Sequence, residues 1–168
     1  PAALAAGYCV IAKPSEHASV TTLEIAKLCD KAGFPAGVFQ VVTGAGEVGQ
    51  ALTSSPHIDK ISFTGSPGVG RAIAMAGAAN LKPVCLELGG KSPNIVFDDC
   101  NFERALIGAL AGIFGATGQT CIAGSRLLVQ RGVYDRMVEG LAARAGQIRM
   151  GDPRLPETEM GTAANEPQ

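Results

Sequence analysis

The chain has no tryptophan, only two tyrosines and two histidines, and no Cys-x-x-Cys pair. Each shortage excludes something. Aromatic residues are 5% of the total and scattered, so no platform for stacking nucleotide bases is present. With 14 basic and 15 acidic residues the net charge is -1, so no basic surface follows a phosphate backbone. Two histidines, His17 and His57, and five cysteines at 9, 29, 85, 100 and 121 offer no ligand spacing for zinc. An odd number of cysteines cannot all pair internally, so reduced thiols and a cytoplasmic setting are expected. The first basic residue is Lys13, so no charged leader ahead of an apolar run is expected. The longest uncharged stretch, Ala105 to Ser125, is interrupted by Gly115-Ala-Thr-Gly-Gln-Thr-Cys121. That leaves about 12 apolar residues where a membrane span needs about 20, and predicts a buried helix instead.

Charge is also scarce: 17% of residues, against about 25% in an average soluble domain. Glycine is abundant, 22 of 168, close to double its usual share of about 7%. Together with many Val, Ile and Leu residues, this points to a sheet with tight connections. The pattern along the chain agrees. Short apolar runs at Tyr8–Ala12, Val38–Val42, Lys60–Phe63 and Pro83–Leu88 read as strands. Between them, Ser19–Ala32 (stripe Val20, Leu23, Ala26, Lys27, Ala32; stop at Gly33), Glu47–Thr53 and Gly68–Ala79 read as helices. Alternating strands and helices of this size are βαβ units, which predict an α/β fold with a parallel sheet.

The rhythm breaks at Gly89-Gly90, where Leu88-Gly-Gly-Lys-Ser-Pro93 reads as a hinge, so two parts are expected, 1–89 and 90–168. Beyond it come a strand at Asn94–Phe97, a helix capped by Asp99 or Asn101, a strand at Arg126–Gln130 and a long helix from Val133 to Met150. The middle helix carries a stripe of Phe102, Leu106, Ala109, Leu110 and Ile113, and its Gly108-x-x-x-Gly112 predicts close helix packing. From Gly151 the tail, with Pro153, Pro156 and Pro167, reads as loop.

Several positions carry chemistry, each with a plainer reading beside it. Gly44-Ala-Gly46-Glu-Val-Gly49 is a literal dinucleotide fingerprint between strand and helix, whose glycines would let the backbone approach a pyrophosphate. No acidic residue ends the next strand, so a tight strand-to-helix turn is the other reading. Phe63-Thr64-Gly65-Ser66 is a second strand-to-helix turn whose free N–H groups suit a phosphate. Lys13-Pro-Ser-Glu16 follows the first strand at the carboxyl edge of a parallel sheet, where a carboxylate and an ammonium can hold ribose hydroxyls or simply be solvated. Glu87 is the one charge in an apolar strand: either desolvated, with the raised pKa of a useful general base, or facing water. Cys121 lies in a glycine-rich loop whose amides can approach whatever a thiolate attacks, whereas the other four cysteines read as small buried hydrophobes.

Taken together, Lys13-Pro-Ser-Glu16, Phe63-Thr-Gly-Ser66, Leu86-Glu-Leu-Gly-Gly-Lys-Ser-Pro93 and Gly118-Gln-Thr-Cys-Ile-Ala-Gly-Ser-Arg126 resemble the successive signatures of the NAD(P)-dependent aldehyde dehydrogenases, in order and over nearly the whole chain. The similarity is strongest to the hydrolytic, non-acylating members. The resemblance implies a partial Rossmann-like NAD-binding domain at 1–89, followed by the start of an α/β catalytic domain at 90–168, both incomplete. It makes Cys121 the nucleophile and Glu87 the general base. Lys13 and Glu16 would hold the adenosine ribose, with Ser15 beside them. Ser66 would contact the pyrophosphate, and Phe63, Thr64, Gly65, Leu88 and Gly89 would line the cofactor. The pyrophosphate then rests on the helix after Ser66, and Gly46 belongs to a turn near the adenine. The implied cofactor is NAD, with NADP as the alternative; Glu16 would repel a 2′-phosphate. The implied partner is a small aldehyde, the whole enzyme being a homo-oligomer, with no metal, nucleic acid or membrane. The family's upstream oxyanion-hole Asn segment and downstream nicotinamide-ribose Glu segment have no counterpart here, which implies an inactive or nearly inactive 168-residue chain. Two rival readings are a non-catalytic nucleotide-binding remnant and a nucleotide-free thiol hydrolase using Cys121 and Glu87.

Overall fold

The computed structural model describes residues 1–166 and 168; Pro167 of the expected tail lies outside them. The chain divides into two compact units, Pro1–Glu87 and Leu88–Gln168. Helix and strand alternate as an α/β fold, but the strands pair two by two, in three small sheets.

The first unit begins with a short helix α1 (Ala2–Ala5) that the apolar pattern had not indicated. Then follow β1 (Val10–Ala12), α2 (Val20–Lys31), β2 (Phe39–Val41), α3 (Gly46–Ser54), β3 (Ile61–Gly65), α4 (Pro67–Ala79) and β4 (Val84–Leu88), which reaches the boundary. Strands β1 and β2 run parallel, with Val10 opposite Phe39 and Ala12 opposite Val41. Strand β3 bonds to β4, where the Ile61 amide donates to the Pro83 carbonyl at 3.0 Å. Gly33 stops α2 as expected, in the left-handed region at φ +83. The stripe of α2 is not covered, however: the helix has no buried residue, and Val20, Leu23, Ile25 and Leu28 are exposed. Two three-residue strands are too small a surface to bury a twelve-residue helix face. What core the unit has is Ile61 and Ile73, which pack where α4 lies over β3 and β4. Gly77 permits that approach, since a Cβ there would overlap Val84.

Helix α4 ends through a Schellman-type closure, with the Lys82 amide donating to Gly77 O at 2.9 Å. The residue that must turn left-handed to make it is Leu81, at φ +53 and 92% exposed. Lys82 then reaches back to the end of α3, where its ammonium donates to the carbonyls of Thr53 and Ser55. These are acceptors that a helix C-terminus leaves without intrahelical partners.

The second unit contains β5 (Pro93–Val96), α5 (Phe102–Phe114), β6 (Arg126–Val129) and α6 (Tyr134–Ala145), with 3-10 turns at Gly115–Gly118 and Arg131–Val133. Strands β5 and β6 are parallel from the pair Pro93–Arg126 to the pair Val96–Val129. Of the two candidate caps of α5, Asn101 does the capping, accepting from the Arg104 amide at 3.1 Å. Val96, Leu106 and Met137 form the core, and Met137 is 0% exposed. The close approach of α5 and α6 comes from Gly140, where a Cβ would lie 3.1 Å from Leu106 Cδ2. Gly108, expected to make it, faces open space, and Gly112 faces Asn94 instead. Arg136 stacks 3.7 Å over the Phe102 ring, and Arg144 pairs with Glu103 at 2.6 Å, fastening the same two helices.

The last helix is shorter than expected. It ends at Ala145 rather than Met150, because Gly146 is a poor helix former and the chain continues in i→i−3 turns at Gln147 and Ile148. The tail is loop, yet it is fastened: Gly151 donates to Met160 O at 3.1 Å, Glu159 to Arg149 O at 2.9 Å, and Arg149 Nε to Glu157 O at 2.7 Å.

The surface area is 11,815 Å². Two separate domains of half this mass each would expose roughly 9,400 Å² by the usual scaling. Large apolar side chains are among those exposed, including Met75, Leu81, Ile95, Phe97 and Ile122. Among the described residues no helix is long and apolar enough to cross a membrane, and no cluster of three potential metal ligands occurs.

Candidate active site and cofactor cradle

In the first unit the residues after β1 and β2 come together. Lys13 is half-buried, and its ammonium donates to the carbonyls of Pro14 and Gly44, each at 2.7 Å. Its stem lies along the start of α3, where a Cβ on Gly49 would sit 3.7 Å from Lys13 Cε. The Glu16 carboxylate is 4.0 Å from the same ammonium and faces solvent. Glu16's own backbone amide holds its carboxyl below the ordinary value of 4.5; desolvation opposes this, and the charges of Lys13 and then His17 add to the lowering. Ser15 turns the chain between them, its carbonyl accepting from the Ser19 hydroxyl at 2.9 Å and its hydroxyl from the His17 amide at 3.3 Å.

Of the three fingerprint glycines, one is demanded by geometry. Gly44 has φ +148, and a Cβ there would overlap Val48 of α3. Gly46 has open space around it. The segment is a tight strand-to-helix turn, and its carbonyl at Gly44 is the acceptor for Lys13.

At the second turn Ser66 caps α4, accepting from the Val69 amide at 3.3 Å, and Pro67 opens the helix at a position with no N–H to lose. The hydroxyl is thus occupied by the cap, while Gly68 meets no atom within 4 Å and leaves the helix end approachable. The Phe63 ring lies over Gly65, where a Cβ would overlap it. Thr64 and Ser66 are exposed beside it.

Glu87 is exposed, the second of the two expectations for it. Alternation along β4 explains this: Val84, Leu86 and Leu88 are half-buried, so Cys85 and Glu87 share the open face. The expectation that all cysteines but Cys121 are buried is corrected in part. Cys85 is exposed because its short strand has only one covered face, Cys9 is exposed just ahead of β1, and Cys29 on α2 and Cys100 ahead of α5 are half-buried. Gly89, next to Leu88, meets no atom within 4 Å.

In the second unit α5 breaks into a left-handed turn. Ala116, Thr117 and Gly118 have φ of 50, 59 and 71 in succession. Two of the three carry a Cβ, in a conformation that favours glycine. Cys121 follows, exposed, in a loop pinned by buried Ala123 and by a bond from the Gly124 amide to Gly112 O at 2.9 Å. The amides of Thr120, Cys121 and Ile122 have no backbone acceptor among the described residues. Two neighbours escaped the sequence reading. Asn94 packs against Gly124, where a Cβ would meet Asn94 Cβ at 3.2 Å, and the Gln119 side chain bonds to Ala116 in the turn and to Ala164 in the tail. Only the spacing of Gly112 and Gly124 around Cys121 hinted at the first.

The sequence profile described as "Aldehyde dehydrogenase family" matches residues 1–168. The chain belongs to the aldehyde dehydrogenase family. It is 48% identical over 160 residues to a betaine aldehyde dehydrogenase of Vibrio vulnificus, covering 95% of this chain and 33% of that protein. It is 50% identical over 160 residues to (Z)-2-((N-methylformamido)methylene)-5-hydroxybutyrolactone dehydrogenase of Acinetobacter baylyi, with the same coverage. Among solved structures, PnpE in complex with nicotinamide adenine dinucleotide superposes with a TM-score of 0.94 at 49% identity, covering 97% of this chain and 34% of that one. Betaine aldehyde dehydrogenase from Staphylococcus aureus in complex with NAD+ gives 0.94 at 40% identity, covering 97% and 33%. This aldehyde dehydrogenase chain thus spans about a third of the length of the curated relatives it matches.

Proposed function

We propose that the enzyme containing this chain oxidises an aldehyde to the carboxylic acid with NAD+, Cys121 being the nucleophile. The observation that carries this reading is an exposed Cys121 thiol in a loop whose amides have no backbone acceptor among the described residues, in a chain that matches the family from end to end. Cys121 as thiolate adds to the aldehyde carbon, forming a C–S bond and placing negative charge on the carbonyl oxygen. Free amides at Cys121 and Ile122 are the groups of this chain suited to that charge. Loss of hydride from the same carbon leaves a thioester on Cys121. Glu87 takes a proton from water, which attacks the thioester, and the C–S bond breaks to release acid and thiolate. Exposure on the open face of β4 keeps Glu87 within reach of water.

When bound, NAD+ supplies the hydride acceptor. The residues of the first unit fit such a cofactor: the Gly44 turn has no room for a side chain, and the α4 end is open at Gly68. The depressed pKa of Glu16 keeps it an anion, suited to ribose hydroxyls and hostile to a 2′-phosphate. On this reading Lys13 and Ser15 hold the adenosine end with Glu16. Gly46, Phe63, Thr64, Gly65, Ser66, Leu88 and Gly89 line the remainder. Substrates are small aldehydes, the whole enzyme is a homo-oligomer, and unpaired thiols suit the reducing cytoplasm.

The 168 residues alone turn over aldehyde little or not at all, since a third of the family's length holds neither the Asn oxyanion donor nor the Glu on the nicotinamide ribose. The test is NADH formation by the enzyme that contains this chain. Cys121→Ser abolishes it, and Glu87→Gln leaves a thioester that hydrolyses slowly. Full turnover in Cys121→Ser would refute the reading.

A further inference from the structure

The side chain of Gln119 spans two segments. Its Oε1 accepts from the Ala164 amide at 3.0 Å, 45 residues away in the tail, and its Nε2 lies 3.5 Å from Ala116 O. Gln119 is itself the residue that closes the left-handed turn, its backbone amide donating to Ala116 O at 3.1 Å. Ala116 has no polar side-chain atom, and among the described residues Thr117 makes no side-chain bond that would reward its positive φ. Residues in such conformations persist when their surroundings fix them. The tail is suited to fix this one, because it is fastened at its own base. Arg149 donates to Glu157 O and pairs with Glu159 at 3.5 Å, and Gly151 donates to Met160 O.

We propose that Gln119 is a positioning residue for Cys121: it ties the left-handed turn Ala116–Gly118 to the tail at Ala164, and the turn sets where the Cys121 loop begins. The proposal rests on Cys121 being the nucleophile but is read out without any turnover. The tail acts as a strap from the end of α6 to the segment ahead of the thiol. Gly124, on the far side of Cys121, is held separately by Gly112 O. The loop is therefore anchored at both ends, by helix α5 on one side and by the strap on the other.

Amide exchange and 15N spectra of the 168-residue chain test this with four variants. These are Gln119→Ala, a chain ending at Gly161, the two combined, and Gln119→Glu, which keeps the acceptor oxygen. Exchange at the Gln119 amide rises about fivefold in the first two, the equilibrium worth of one neutral hydrogen bond. It rises no further in the combination, and Gln119→Glu, which keeps the acceptor for Ala164 but loses the Nε2 donor to Ala116 O, falls between the parent and Gln119→Ala. The Cys121 amide resonance moves in the same direction in Gln119→Ala and in the shortened chain, while exchange at Met137 is unchanged. Additive effects, an unmoved Cys121 resonance, or faster exchange at Met137 as well would overturn the proposal. Should Gln119→Ala not fold, Gln119→Glu and the shortened chain still decide it. Loss of turnover on Cys121→Ser tests the nucleophile separately.

Discussion

The amide of Gly124 donates to the carbonyl of Gly112 at 2.9 Å, joining the segment after Cys121 to helix α5 before it. The two backbones can meet because neither residue has a side chain to hold them apart, and the amide group of Asn94 fills the space beside both. A methyl group on Gly124 would come within 3.2 Å of Asn94 Cβ, which belongs to strand β5 and cannot swing away. Gly124→Ala is therefore expected to destabilise the second unit by about 1–3 kcal/mol, as overpacking does. Urea denaturation followed at a probe in α6 measures it. An unchanged midpoint would mean that the loop yields freely.

The fingerprint glycines make a contrast within one turn. Gly44→Ala combines a left-handed φ with overlap on Val48, and should cost about 1–3 kcal/mol. It should also weaken NAD+ binding, since the Gly44 carbonyl anchors Lys13. Gly46→Ala meets open space at the first residue of α3 and should change stability by no more than about 0.5 kcal/mol. Thermal melts with and without NAD+ distinguish the two.

Leu81 offers a gain. Its left-handed φ costs about 1 kcal/mol or somewhat more, and its side chain buries almost nothing in return. Leu81→Gly removes that cost against the larger entropy of an unfolded glycine, for a net stabilisation of about 0.5 kcal/mol. A higher melting temperature is the expected result. A lower one would mean that the leucine is covered in solution.

Glu16 sets a pH dependence whose sign is fixed. Its carboxyl titrates below 4.5 in the folded chain, so whatever the anion contributes is complete above that value and lost as pH falls through the lowered one. NAD+ affinity assigned to Glu16 should be level from about pH 7 down to about pH 5 and fall only beneath. Titration of NAD+ binding in the parent and in Glu16→Gln isolates the part due to this group. A Glu16-dependent decline already under way between pH 7 and 6 would contradict it.

The elements were legible where one short rule governs them. The alternation of helix and strand, the cap at Asn101 and the stop at Gly33 each follow from a few adjacent residues. What escaped depends on distance in the chain or on what lies opposite. The stripe of α2 looks covered in sequence, but the sheet beneath it is three residues deep. Helix α6 has an apolar side out to Ile148, yet Gly146 ends it. Gly44 and Gly46 look equivalent in the fingerprint, and only the position of Val48 separates them. Among the candidate site residues, the turns at Lys13–Glu16 and Phe63–Ser66 were visible from strand ends, whereas the strap from Ala164 to Gln119 crosses 45 residues and left no local mark.

Met137, on α6 and buried against Leu106 of α5 and Val96 of β5, has a consequence for the order in which the molecule comes apart. The first unit holds two buried aliphatic side chains, the second a continuous cluster with Met137 at its centre. Local opening follows the density of buried contacts, so the half carrying Lys13 and Glu16 is the earlier to open on warming. The half with Cys121 is the later. On the proposed function, heat would thus uncouple recognition from reactivity, since for a few degrees the thiol stays held in its loop after the first unit has let go of its nucleotide.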